Sequence, residues 1–182
     1  MRLFTAVVPP AAVLDALGTA VEAARPTARA LRWAPREQWH VTLLFLGEVP
    51  DERVDAVAEE LGRVAVRHPA MSLSLRGGGT FPPKPVRSRV LWAGLDGDTE
   101  ALTALANDLR DAAAGLGIPV EDRRYTPHLT VARARITTNL TAPHARLDTL
   151  ATEPWRAGEV HLVHSRLGGT PRYRTIATWE LA

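Results

Sequence analysis

Two rhythms of apolar positions run along this chain. Leu3 to Val8 is a short apolar run closed by Pro9-Pro10, which predicts a strand. Ala11 to Ala24 sets Val13, Leu14, Leu17 and Val21 at helical spacing, and the pattern ends near Pro26. Leu31 to Trp33 reads as a short strand, and Gln38 to Leu46 is a β-rich run stopped by Gly47. Asp51 is suited to cap a helix whose one face is Val54, Val57, Ala58, Leu61 and Val64. Met71 to Leu75 alternates apolar residues with Ser, the mark of a half-buried strand. Arg76 to Lys84 reads as a loop, with Gly77-Gly78-Gly79 as its mobile part, and Val90 to Gly94 as the next strand. Thr99 to Leu116 carries the clearest helical stripe, through Leu102, Leu105, Ala106, Leu109 and Ala113. Pro127 to Arg133 is again a strand, and Thr137 to Leu150 has no decisive period, reading as a loop or a short helix. Glu159 to Leu167 and Tyr173 to Leu181 close the chain as a hairpin turned at Gly168-Gly169.

Strands outnumber helices in this order, and several neighbours are close enough to pair as hairpins. The expected class is α+β with mostly antiparallel sheet, residues 1–182 forming one domain. One repeat stands out. His40-Val41-Thr42-Leu43 and His128-Leu129-Thr130-Val131 both read His, apolar, Thr, apolar, one in each half of the chain. The repeat predicts two lobes related by a pseudo-two-fold axis.

Composition narrows the chemistry. No cysteine is present, so disulfides, thiolate nucleophiles and thiolate metal sites are excluded. No apolar run reaches the roughly 20 residues that span a bilayer, and the run after Arg2 is too broken for a secretory signal, so a cytoplasmic, membrane-free protein is expected. The formal charge is +2 and the sequence pI about 9.6. Nearly all of the basic side is arginine, Lys84 being the one lysine, and arginine's planar fork suits phosphate. A GC-rich genome would give the same usage.

Alternate side chains of a strand share a face, so His40 and Thr42 point one way and Val41 and Leu43 the other, as do His128 and Thr130 against Leu129 and Val131. If the two strands meet, two imidazoles and two hydroxyls converge on one cleft. On a phosphodiester, a neutral imidazole can take a proton from water, an imidazolium can protonate the departing ribose oxygen, and the hydroxyls can hold the non-bridging oxygens. Taken singly, each His-x-Thr would read as a satisfied structural histidine.

The flanking blocks carry a resemblance. Arg2-Leu3-Phe4-Thr5-Ala6, the run from Trp39 to Glu48, Gly79-Thr80-Phe81-Pro82, the run from Tyr125 to Arg133, Ser165-Arg166-Leu167 and Tyr173 together resemble the two-histidine phosphoesterases, and within them the bacterial and archaeal RNA 2′,3′-cyclic phosphodiesterases. The resemblance implies a bilobal α+β fold in which two antiparallel sheets line a central cleft with helices outside. It implies opening of an RNA terminal 2′,3′-cyclic phosphate to a 2′-phosphomonoester without metal or cofactor, with reversible 2′-5′ RNA joining in some members. By the same resemblance His40 is the general acid, His128 the general base, and Thr42 and Thr130 hold phosphate oxygens.

Arg133 is a phosphate contact by resemblance, yet strict alternation puts it on the face opposite His128 and Thr130. The two agree only if the strand bulges or ends by Ala132; otherwise Arg133 belongs to a surface ion pair. Phe81 could lie under the terminal base or cover the core. Arg123 and Arg124 suit either RNA steering or a solvated turn, and His68 and His144 read as surface positions. RNA ends are the expected partner of a monomeric enzyme. Competing readings are a phosphodiesterase for a small nucleotide such as a 2′-5′ oligoadenylate or a cyclic ADP-ribose phosphate, a nucleotide-binding module with little turnover, and a metallohydrolase. The last lacks a carboxylate at ligand spacing beside either motif.

Overall fold

Nine strands and four α-helices are described across residues Met1–Ala182 in the computed structural model. The strands are β1 (Arg2–Val7), β2 (Arg32–Trp33), β3 (Val41–Glu48), β4 (Met71–Phe81), β5 (Ser88–Gly97), β6 (His128–Thr138), β7 (Trp155–Ala157), β8 (Glu159–Ser165) and β9 (Tyr173–Glu180). The helices are α1 (Ala11–Ala24), α2 (Val54–Ala65), α3 (Thr99–Gly115) and α4 (Thr141–Leu147). One sheet has the order β3-β1-β8-β9 and the other β2-β6-β5-β4-β7. Every pairing is antiparallel.

The amphipathic helices form where the 3.6-residue period predicts them. Val13, Leu17 and Val21 of α1, Val57 and Leu61 of α2, and Leu102, Leu105 and Leu109 of α3 are buried. They join one cluster of 38 buried apolar residues that draws on both sheets and all four helices, so neither sheet has a core of its own. The opposite face of the β1–β8 pair carries a separate small cluster of Phe4, Ala6 and Val163, with Tyr173 packed against it.

Two expectations are corrected. Gly77-Gly78-Gly79 is not a mobile loop but part of β4, which continues to Phe81 and pairs with β5 through Gly78↔Ala93 and Gly79↔Trp92. The glycines are there for space: a Cβ on Gly79 would enter the Trp92 ring, and one on Gly78 would come within 2.8 Å of Leu147. The stretch without a clear period extends β6 to Thr138 and then forms a short helix, α4, one of its two readings, and Trp155–Ala157 adds a short edge strand that its three residues could not announce. His68 is not a free surface group; its side chain is 15% exposed and lies 2.9 Å from Asp108.

Candidate active site

The two motif strands belong to different sheets, β3 at the edge of one and β6 next to the edge of the other. They make contact, and Tyr125, three residues before His128, reaches across to donate its phenolic O–H to the Thr42 carbonyl at 2.9 Å. Between them lies a cleft of about 380 Å³ lined by His40, Thr42, His128, Thr130 and Arg133, together with Arg32, Phe45, Arg172 and Tyr173. No carboxylate lines it. Both motifs therefore converge on one space.

Each imidazole is held alike. Nδ1 of His40 lies 2.8 Å from the Gln38 carbonyl and Nδ1 of His128 lies 2.7 Å from the Thr126 carbonyl, in both cases two residues upstream. A carbonyl only accepts, so Nδ1 carries the proton in each ring and Nε2 is left for chemistry. Nε2 of His40 is 2.9 Å from Thr42 Oγ1, which donates to it while the ring is neutral.

Aromatic rings back both histidines. Phe4 stacks on His40 with centroids 4.7 Å apart, and Tyr173 meets the same ring edge-on at 5.4 Å. Phe81 meets His128 edge-on at 4.8 Å and leans on Trp92 at 5.2 Å. Phe81 thus stands behind an imidazole, in the place that Phe4 takes on the other side. Burial against these rings disfavours the imidazolium. His40 is pushed from 6.5 down to about 4, first by desolvation, with the bond to Gln38 opposing and the charges of His128 and Arg133 adding. His128 is lowered for the same leading reason, with Arg133 and Arg123 contributing.

The conflict over Arg133 is resolved by a β-bulge. Trp92 is opposite Thr130 and Leu91 opposite Ala132, leaving Val131 unopposed. Val131 and Ala132 are both buried, alternation resumes one residue late, and Arg133 comes out on the motif's own face. The other motif repeats the device. Ala6 is opposite Thr42 and Thr5 opposite Leu44, so Leu43 is the extra residue, Leu43 and Leu44 are buried, and Phe45 emerges into the cleft 53% exposed. Phe45 and Arg133 thus occupy equivalent places, five residues after their histidines. Comparing the two repeats two positions further than the tetrapeptide would have singled out Phe45. Arg32 was also missed; its one signal is its register with Arg133 across β2 and β6, which no local pattern reveals.

Arg123 pairs with Glu121 at 2.9 Å, and His144 Nε2 lies 3.2 Å from the Gly78 carbonyl, away from the cleft. No three His, Asp or Glu side chains gather as a metal ion requires, and no helix is long and apolar enough to cross a membrane.

Known proteins resemble this chain in sequence and in fold. The sequence model of the 2′-5′ RNA ligase superfamily matches residues 13–169. A curated protein of Geobacillus stearothermophilus, named RNA 2′,3′-cyclic phosphodiesterase, is 33% identical over 82% of this chain and 47% of its own length. Proteins of the same name from Escherichia coli and Thermus thermophilus are 38% and 36% identical, over 62% and 74% of this chain and 56% and 69% of their own. The chain thus spans about half the length of the first curated relatives it matches. In structure, a Thermus thermophilus protein superimposes with a TM-score of 0.82 at 31% identity, covering 99% of this chain and 97% of that one. Escherichia coli LigT complexed with 3′-AMP superimposes at 0.80 and 28%, covering 100% and 98%. With a family model matched over most of its length, two antiparallel sheets and both His-x-Thr strands at one cleft, the chain belongs to the 2′-5′ RNA ligase superfamily.

Proposed function

We propose that this protein hydrolyses the terminal 2′,3′-cyclic phosphate of RNA to a 2′-phosphomonoester by acid–base catalysis between two histidines, without metal. The observation that carries the reading is the pair of imidazoles, each with Nδ1–H tied to a carbonyl, sharing a cleft lined with arginine and free of carboxylate. The name borne by the curated relatives supports the substrate class.

Water attacks phosphorus and gives its proton to Nε2 of His128. The bond from phosphorus to O3′ breaks, and O3′ takes a proton from Nε2 of His40, leaving a free 3′-hydroxyl. Once His40 is charged it donates rather than accepts, so the Thr42 hydroxyl is released toward a non-bridging oxygen, as Thr130 offers its own from the other strand. Arg133 holds the phosphate charge, and Phe45 offers a face to the terminal base. Phe4 and Phe81 act behind the rings by excluding water. With an RNA 5′-hydroxyl attacking phosphorus in place of water, giving its proton to His128 as O3′ takes one from His40, the same proton transfers serve 2′-5′ joining.

The division of labour follows the family resemblance, and it asks the more strongly neutralised ring to be the acid. The phosphate anion supplies the field that charges His40 on binding. Replacing the bridging 3′ oxygen of the substrate by sulfur removes the need for an acid. Such a substrate should restore turnover to His40→Ala and not to His128→Ala; the opposite result exchanges the two roles.

The test of the function itself is incubation with an RNA ending in 2′,3′-cyclic phosphate, in chelator, with identification of the product. A 2′-phosphate supports the reading and a 3′-phosphate reverses its leaving group. Turnover of small cyclic nucleotides alone would move the protein to the small-nucleotide reading, for which a cleft of about 380 Å³ is also large enough.

A further inference from the structure

The sequence segments 77–95 and 123–147 contain no aspartate or glutamate. They fold side by side as β5, β6 and the 3₁₀ turn over Pro85–Arg87, forming an arm that leaves the cleft beyond Arg133. Lys84, Arg87, Arg89 and Arg135 are exposed on it, and none of them takes part in any of the ion pairs of the molecule. Six arginines outside the arm do pair with acids, as Arg36 does with Asp15 and Arg110 with Asp111. The backbone shapes the arm as well. Val90 is opposite Arg133, but the next pair is Ser88 with Thr138, so residues 134–137 face Arg89 alone and bow out of the ladder. The Arg89 guanidinium donates to the Arg135 carbonyl at 2.6 Å inside this bow. Ile136 within the bow is 75% exposed and Val86 on the neighbouring turn 60%, the first and third largest exposures among the bulky apolar residues.

We infer that this arm docks the body of a single-stranded RNA whose reacting end lies in the cleft, an inference that rests on the RNA-end reading above. Unpaired like charges on one surface repel each other, and a polyanion relieves that repulsion while releasing its counterions. The arm adjoins Arg32 and Arg133, so the positive surface is continuous from the site to its far end. The exposed Ile136 and Val86 give unpaired bases apolar surface beside the cations. Two isolated apolar side chains form no groove for a protein helix and are too little to anchor a bilayer. A terminal nucleotide alone would not reach the arm, so the arm distinguishes RNA ends from small cyclic nucleotides.

The test uses the triple variant K84Q/R87Q/R135Q, none of whose positions lines the cleft, and two substrates: 2′,3′-cyclic AMP and a short oligoribonucleotide ending in the cyclic phosphate. The expected result is a rise of about tenfold or more in KM for the oligonucleotide, with unchanged kinetics on cyclic AMP, and a salt dependence of log KM shallower by about 0.7 for each RNA phosphate that the variant no longer neutralises. Anisotropy of a labelled RNA without the cyclic end reads docking independently of turnover, and the variant should bind it correspondingly more weakly. Equal RNA binding and equal oligonucleotide KM in variant and wild type overturn the inference. So does a variant that loses only its affinity for phosphatidylserine vesicles, which would make the arm a membrane surface. If the wild-type protein turns over neither substrate but the variant still loses RNA binding, the docking arm stands and the catalytic reading falls.

Discussion

At the scale of single residues, the cleft is governed by how strongly the protein resists charging its two imidazoles. An unfolded chain protonates His40 near 6.5, whereas the folded site holds the ring neutral down to about 4. Between those values the unfolded state binds the extra proton, so stability falls as pH drops, by up to about 1.4 kcal/mol per pH unit for one such ring. Thermal melts from pH 7 to 4.5 should show this decline, and His40→Asn should flatten it. The proposed mechanism needs one proton shared between the two rings, so kcat/KM should be bell-shaped, with apparent values that belong to the pair. Because both rings are lowered in the free site, its maximum should lie below pH 6.5. Arg133 lowers both, so Arg133→Gln should move both limbs to higher pH while weakening substrate binding. His40→Ala or His128→Ala should cost about 10²–10⁴-fold in kcat with the far-ultraviolet circular dichroism unchanged; activity equal to wild type in either would remove the imidazole from the mechanism.

At the scale of elements, strands do the positioning and their irregularities matter as much as their regular parts. Strand alternation sufficed to put His40 with Thr42 and His128 with Thr130, because each pair lies before its bulge. It failed for Arg133 and would have failed for Phe45, because a bulge is decided by the partner strand and leaves little trace in the local sequence. Helices α1 to α3 were legible for the converse reason: their burial follows a period set within the element. The triglycine run was misread because the demand for glycine comes from Trp92, which the chain reaches only later. Gly79→Ala should therefore destabilise the protein by about 1–3 kcal/mol through overpacking. It should also disturb turnover, since the Trp92 ring leans on His128 at 5.9 Å. A Gly79→Ala protein as stable as wild type in urea would show that the ring gives way. Tyr125 is a positioning residue that ties the approach to one motif to the backbone of the other, and burial raises its phenol above the ordinary tyrosine value. Tyr125→Phe leaves a buried carbonyl without its donor, at a cost of about 1–3 kcal/mol, and should lower kcat more than it raises KM.

At the scale of the whole molecule, a formal charge of +2 conceals an uneven surface, with a cleft and arm free of acids and all of the aspartates and glutamates elsewhere. Added salt should raise KM for RNA more steeply than for cyclic AMP, whose single phosphate has fewer cations to meet. A matching slope for both would mean that only the cleft is felt.

The large apolar cluster shared by both sheets has a consequence for the proposed reaction. With that common core and a hydrogen bond from Tyr125 to Thr42 bridging the motifs, the two walls of the cleft should move as one body rather than swing together over a substrate. In the proposed reaction bulk solvent would then reach the phosphorus, and any competing nucleophile would have to arrive at an effective concentration high enough to outrun water. The partition between ring opening and the proposed joining would be set by the RNA, through whether its own folding holds a 5′-hydroxyl beside the cyclic end.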